Sequence, residues 1–218
     1  MKKKDEVSPD EIEAHFSAHF GEPESVIHKV MSDTLHVDVH IIPPRPEREW
    51  WTLFTTGMSE HPMAVPDGVQ APKLAEVLIA LPPAWQMDLL KTEVERWAWP
   101  MKWLRLVAIL PHVDATWLGE RHTIPNGDPP EPFAPGTKLA VWMLLPPVSV
   151  AEEARTVKLT DGREVALLQL HALHADELAL KLDKGSDALL DALVAADVTE
   201  VLTLDRRSVA RKKRFGIF

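Results

Sequence analysis

The chain has 218 residues, 45% of them hydrophobic, and a formal net charge of −9. That content builds one sizeable core and argues against wholesale disorder. With no cysteine in the sequence, disulfides, thiolate zinc sites and thiol nucleophiles are excluded.

The first residues, Met1-Lys2-Lys3-Lys4-Asp5-Glu6, lack the apolar stretch of a signal peptide. No run approaches the roughly 18 apolar residues of a membrane span. A soluble, cytoplasmic protein is therefore expected. Its charge is uneven. Residues 206–214 hold six of the 24 basic residues and no acidic one, so the rest carries 18 basic against 33 acidic residues, a balance of −15. An acidic body repels nucleic acid and attracts basic partners. The basic run could bind phosphate, but such runs are more often solvated ends. The expected organisation is one domain over residues 1–205, with 148–205 as a hairpin-plus-helices section, and a basic tail over 206–218.

Ser8-Pro9-Asp10-Glu11 opens a helix that runs to about His19, with Ser8 as cap and Pro9 at the first helical position. Gly21 stops it. Residues 26–30 form a weak strand candidate and residues 35–42 a stronger one. There Leu35, Val37, Val39 and Ile41 share one face, and His36, Asp38 and His40 the other. Residues 50–56, rich in aromatic and β-branched types, read as another strand. Residues 73–81 read as a strand ended by Pro82-Pro83. Residues 86–110 look helical, and Pro100 predicts two helices meeting near Trp99-Pro100. Residues 111–136, dense in proline and glycine, predict a long ordered loop. Residues 138–145 are apolar enough for a buried strand. Residues 156–160 and 164–170 flank Asp161-Gly162-Arg163 and predict a hairpin in which Gly162 supplies positive φ. Residues 175–182 and 186–196 read as helices, separated by Gly185 and with Ser186 as a cap. Seventeen of the 19 prolines lie between Pro43 and Pro147, so the loop-rich body precedes a simpler C-terminal section.

Two groups of residues carry possible chemistry. Alternate strand side chains point the same way, roughly 6–7 Å apart. His36, Asp38 and His40 therefore resemble a facial metal triad. They also suit the polar outer face of an amphipathic strand. His112, Asp114, Arg121, His122 and Asp128 sit in the long loop. They fit acid–base work, or a loop whose polar groups satisfy its own backbone. Ser59 lacks the second glycine of a hydrolase elbow, and no phosphate-cradling glycine loop is present. No cofactor is expected. All eight tryptophans lie between Trp50 and Trp142; Trp85, Trp97, Trp99, Trp103 and Trp117 would pin the proline-rich segments.

The pieces in order are His36-Val37-Asp38-Val39, Thr55-Thr56-Gly57-Met58-Ser59, Pro62-Met63, Ala75-Glu76, Leu81-Pro82-Pro83-x-Trp85, Trp117-Leu118-Gly119, His122-Thr123-Ile124-Pro125-Asn126-Gly127-Asp128-Pro129 and Leu144-Leu145-Pro146-Pro147. Their joint order resembles the suppressor-of-fused domain family, short bacterial form, over roughly residues 20–200. Arg121 stands where the pattern has glycine. The resemblance implies an α+β fold, a mixed sheet with packed helices and long proline-rich ordered loops, and no catalytic activity. It implies a protein partner: animal members restrain a transcription factor by clamping an extended peptide, and carry a second domain for which this chain is too short. Bacterial members are associated with toxin systems as immunity proteins. A basic toxin domain is the expected partner here, and a metal-dependent hydrolase built on His36, Asp38 and His40 or on the His122 loop is the alternative. The expected contact residues are Gly57, Met58, Ser59, Pro62, Met63, Trp117, His122, Thr123 and Asp128, because glycine and proline pre-organise those segments. Oligomeric state is left open.

Overall fold

In a computed structural model, residues 7–28, 36–90, 92 and 94–210 are described. The expected positions at Lys29, Val30 and Leu35, and the tail beyond Ala210, lie outside them. The fold is mixed α+β. Eight strands, β1 (Ser25–Ile27), β2 (Asp38–Ile42), β3 (Trp51–Thr56), β4 (Ala75–Leu81), β5 (Thr123–Pro125), β6 (Leu139–Leu145), β7 (Thr156–Lys158) and β8 (Glu164–His174), form one sheet. Its order is β1-β2-β3-β4-β8-β6-β5, with β7 also paired to β8. The first four strands pair antiparallel, β4 and β8 pair parallel, and β8 and β6 pair antiparallel.

Among the described residues four α-helices accompany the sheet: α1 (Pro9–His19), α2 (Met87–Leu90), α3 (Glu95–Val113) and α4 (Ala175–Ala195). The alternation of β2 decides which residues face which layer. Val37, Val39 and Ile41 join Leu53, Val77, Ile79 and the buried α3 residues Trp99, Leu104 and Val107 in one cluster. On the opposite face α1 lays Ile12 and Phe16 over Phe54, Leu78 and Val165. Phe16 stacks on Phe54 with centroids 3.7 Å apart. Beside it α4 covers β6 and β8 through Leu189 and Leu193. The result is three layers, with the sheet buried on both sides.

Several local expectations need revision. Pro100 does not divide the helix; the break falls before it, between α2 and α3, and α3 runs through both Pro100 and Pro111. The carbonyl that Pro100 leaves without its N–H donor belongs to exposed Arg96, where water can serve it. The buried face of Trp99, Met101, Leu104, Val107 and Ala108 outweighs the bond lost at each proline. The long loop is shorter than residues 111–136, because α3 takes its start and β5 forms inside it. Ser8 precedes α1 without a side-chain cap bond. Gly162 and Gly185 do take positive φ, both 87°, turning the β7–β8 hairpin and breaking α4 in two.

Candidate functional site

Thr55 to Ser59 is built around a carboxylate from another strand. Glu76 lies in the apolar run of β4 and is fully buried. Its Oε2 accepts from Thr55 Oγ1 at 2.6 Å; its Oε1 accepts from Gly57 N and Ser59 N, both at 3.0 Å, and from Ser59 Oγ at 2.6 Å. Burial pushes the Glu76 carboxyl up to about 7, against the downward pull of these bonds, the hydroxyl of Ser59 first. Thr55 Oγ1 also accepts Val77 N at 3.0 Å, replacing a rung of the β3–β4 ladder. Gly57 carries φ 108°, and a Cβ there would lie 1.9 Å from the His36 carbonyl oxygen. Gly57→Ala should therefore cost more than about 2 kcal/mol. Urea unfolding checks this; a loss within about 0.5 kcal/mol would refute the close packing.

Gly57, Met58, Ser59 and Met63 are thus interior residues. Their conformation shapes the surface above them. Met63 Sδ accepts Leu118 N at 3.4 Å, and Ala64 N donates to Thr116 O at 3.0 Å. His112 Nε2 lies 2.9 Å from Met58 O. These contacts join the 57–64 and 112–118 segments into one surface, which leaves Pro62 exposed and Trp117 partly so.

Trp117 packs against His122, with ring centroids 4.3 Å apart and planes tilted by 58°. Burial, and then Lys181, hold the His122 imidazole below its usual range. Arg121 adopts φ 67°, the left-handed region that glycine occupies without strain. Its Nη1 reaches Asp187 at 2.7 Å, and its carbonyl accepts Lys181 Nζ at 2.7 Å; the same ammonium lies 3.2 Å from Thr123 Oγ1. The kinked α4 therefore grips the loop from both sides of Gly185. Asn126 Nδ2 donates to Glu131 O and Pro132 O, closing a small loop that leaves Asp128 exposed. β5 ends the sheet, but Pro125 has no N–H to offer and Lys181 already occupies the Arg121 carbonyl. That edge is blunted against strand addition.

The His36, Asp38 and His40 set does not converge. His36 is exposed and His40 is buried. Asp38 turns to His28, with Oδ2 2.8 Å from Nδ1. His40 Nε2 lies 2.9 Å from Thr56 Oγ1, and its ring stacks on Phe54 at 4.6 Å. Burial drops its pKa to about 4. Among the described residues no three His, Cys, Asp or Glu side chains form a metal-binding group. His112, on α3, bonds Met58 O, and His122 packs on Trp117, without a shared reacting position. No helix among the described residues is long and apolar enough to cross a membrane.

Two groups escaped the reading of the sequence. Glu76 was visible as a lone carboxylate inside Ala75-Glu76-Val77-Leu78. The other, Glu177 with Arg206, had no local signal: Arg206 sat in a basic run that resembled a solvated tail, yet its Nη2 lies 2.5 Å from the fully buried Glu177 carboxylate. Arg206 to Ala210 belong to the folded body.

A sequence model described as "Suppressor of fused protein (SUFU)" matches residues 33–207. No curated protein matches the chain. Among solved structures, the chain is similar to one in the Sufu–Fu complex, at 16% identity and TM-score 0.61, covering 92% of this chain and 89% of that one. It is similar to a SUFU homologue from Neisseria gonorrhoeae FA 1090, at 14% identity and TM-score 0.61, covering 93% and 94%. It is also similar to Drosophila Suppressor of Fused, at 15% identity and TM-score 0.60, covering 92% of this chain and 50% of that one. At these identities the likeness carries the fold.

Proposed function

The chain belongs to the suppressor of fused family, and on that premise we propose that it is a non-enzymatic, cytoplasmic protein-binding domain, a bacterial immunity protein that binds and neutralises a basic toxin domain. The observation that carries this reading is the family match, together with the protein partner present in the Sufu–Fu complex. The acidic body, balance −15 outside residues 206–214, supports a basic partner, since opposite fields speed encounter and suppress wrong pairings. The proposed contact surface is Pro62, Trp117, His122, Thr123 and Asp128, set on the rigid support of Gly57, Met58, Ser59 and Met63. Trp117 offers apolar area, and Asp128 a carboxylate for a basic partner.

The test pairs the purified chain with a basic toxin domain from a neighbouring gene, by calorimetry and by toxin activity. A stoichiometric complex that inhibits the toxin and weakens with added salt is expected. Absence of any complex would sink the reading. His122→Ala combined with Asp128→Ala should weaken that complex by about tenfold or more and leave the melting temperature nearly unchanged. An unchanged affinity would move the surface elsewhere.

A further inference from the structure

Arg206 is anchored on Glu177, with Nη1 and Nη2 at 2.6 and 2.5 Å from the two carboxylate oxygens, and Val209 N donates to the same carboxylate at 2.9 Å. These bonds bring the chain to the margin of a cleft of about 1190 Å³ between α4 and residues 204–209. Ala192, Ala195, Ala196, Val198 and Leu204 give it apolar walls, and Lys138, Asp205 and Arg207 stand among them. The cleft adjoins the cluster of Val141, Leu173, Leu189 and Leu193, which Val198 and Val209 extend. Among the described residues, the other two clusters hold Trp or Phe side chains and this one holds none. Val194, on the same turn of α4, is 74% exposed. The sequence from Gly185 to Asp205 carries five acidic residues and no basic one. Two of them, Asp191 and Asp197, border Ala192 and Ala196 and are exposed.

We propose that residues 211–218 of this chain, Arg-Lys-Lys-Arg-Phe-Gly-Ile-Phe, dock back into this cleft. Ala210 directly follows the lining residue Val209, so the segment starts at the cleft's edge. Phe215 lies within roughly 16–18 Å of extended chain from Ala210. Phe215 and Phe218 are the only Phe, Trp or Tyr residues after Trp142. With Ile217 they supply the large apolar side chains that the cleft and its cluster lack. Burying these three removes apolar surface from water and offsets the entropy of ordering the segment. A run of basic residues alone has no such driving force. Arg211, Lys212, Lys213 and Arg214 then pass over the acidic half of α4, where opposite charges attract. The covalent tether favours this occupant, because it presents the segment at an effective concentration near the millimolar range, which a free partner rarely reaches.

The chain has no cysteine, so a disulfide between two introduced cysteines reads the contact in the full chain. Ala195→Cys with Ile217→Cys joins the cleft wall to the segment and keeps both phenylalanines. Lys102→Cys with Ile217→Cys is the reference, placed on α3 across the sheet; Ala195 and Lys102 are both exposed, so neither change threatens the core. Under mild oxidation the first pair should close within one molecule at least about tenfold faster than the second. Adding Phe215→Ser and Phe218→Ser should slow it to the reference rate. In the cysteine-free chain the same two serines should raise amide exchange at residues 192–198 on the order of tenfold and leave residues 77–80 unchanged. Equal closure of the two pairs, closure indifferent to the loss of both phenylalanines, or unchanged exchange at 192–198 would overturn the proposal. Disulfides formed mainly between two molecules would overturn it as well, and would give the cleft to a second copy of the chain.

Discussion

Glu76→Ala is expected to unfold the protein or destabilise it by at least about 4 kcal/mol. The substitution leaves Gly57 N, Ser59 N, Ser59 Oγ and Thr55 Oγ1 without their acceptor. A buried donor stripped of its partner costs roughly 1–3 kcal/mol, and a cavity adds to that. Thr55 keeps an alternative, because it can turn to Val77 O at 3.3 Å; the turn at 57–59 keeps none of those contacts. Glu76→Gln should be far milder. Its amide oxygen can take the three donors from Gly57 and Ser59, and its NH₂ can face Thr55 Oγ1. Denaturant unfolding of both variants checks this. If alanine and glutamine cost the same, shape rather than hydrogen bonding holds the turn.

Acid should destabilise the protein through two histidines. Burial first, with His28 also lowering His40 and Arg206 lowering His171, drops each pKa to about 4. The unfolded chain binds protons near pH 6.5 that the folded chain refuses. The contribution of each imidazole is thus complete above pH 6.5 and is lost as pH falls toward 4, on the order of 3 kcal/mol each. Glu76 works the other way. Its raised value, about 7, means its contribution is full below about 4.5 and fades as pH rises to 7. Between pH 6.5 and 4.5 these two groups oppose one, and His15, His112 and His122, each lowered by burial, act on the histidines' side, so stability should fall by about 1.4 kcal/mol per pH unit or more. Glu76→Gln removes the opposing group and should steepen that limb. His171→Met removes one contributor and should flatten it. A wild-type stability that rises on acidification through this window contradicts the assignment.

What the sequence shows and what it hides divide along chain distance. The alternation of Val37, Val39 and Ile41, the aromatic and β-branched run at 51–56 and the apolar run at 139–145 all announced strands, because a strand's two faces are written locally. Gly162 and Gly185 announced a turn and a break for the same reason. The short edge strand β5 was hidden, since Thr123-Ile124-Pro125 gains its extended form from β6 and not from its own propensity. The candidate site was hidden more deeply. Gly57 to Ser59 carry a pre-organised backbone, which the sequence displayed, but the carboxylate that draws them inward comes from β4. His36, Asp38 and His40 matched a ligand spacing, yet Asp38 is claimed by His28 and His40 by Thr56. Glu177 and Arg206 are 29 residues apart, and only the folded sheet brings them together.

The position of β8 has a consequence for biosynthesis. This strand is central in the sheet but emerges from the ribosome after the other seven. Until residues 164–174 are made, the β1–β4 meander and the β5–β6 pair are separate pieces with bare inner margins, and neither can close on the other. Local pairing can proceed during translation, but the decisive long-range pairing waits for the end of the chain. A nascent chain halted before β8 exposes the apolar edge of β4, and such an edge recruits other strands. Stalled or truncated forms of this protein are therefore substrates for chaperones and proteases rather than smaller working versions of it.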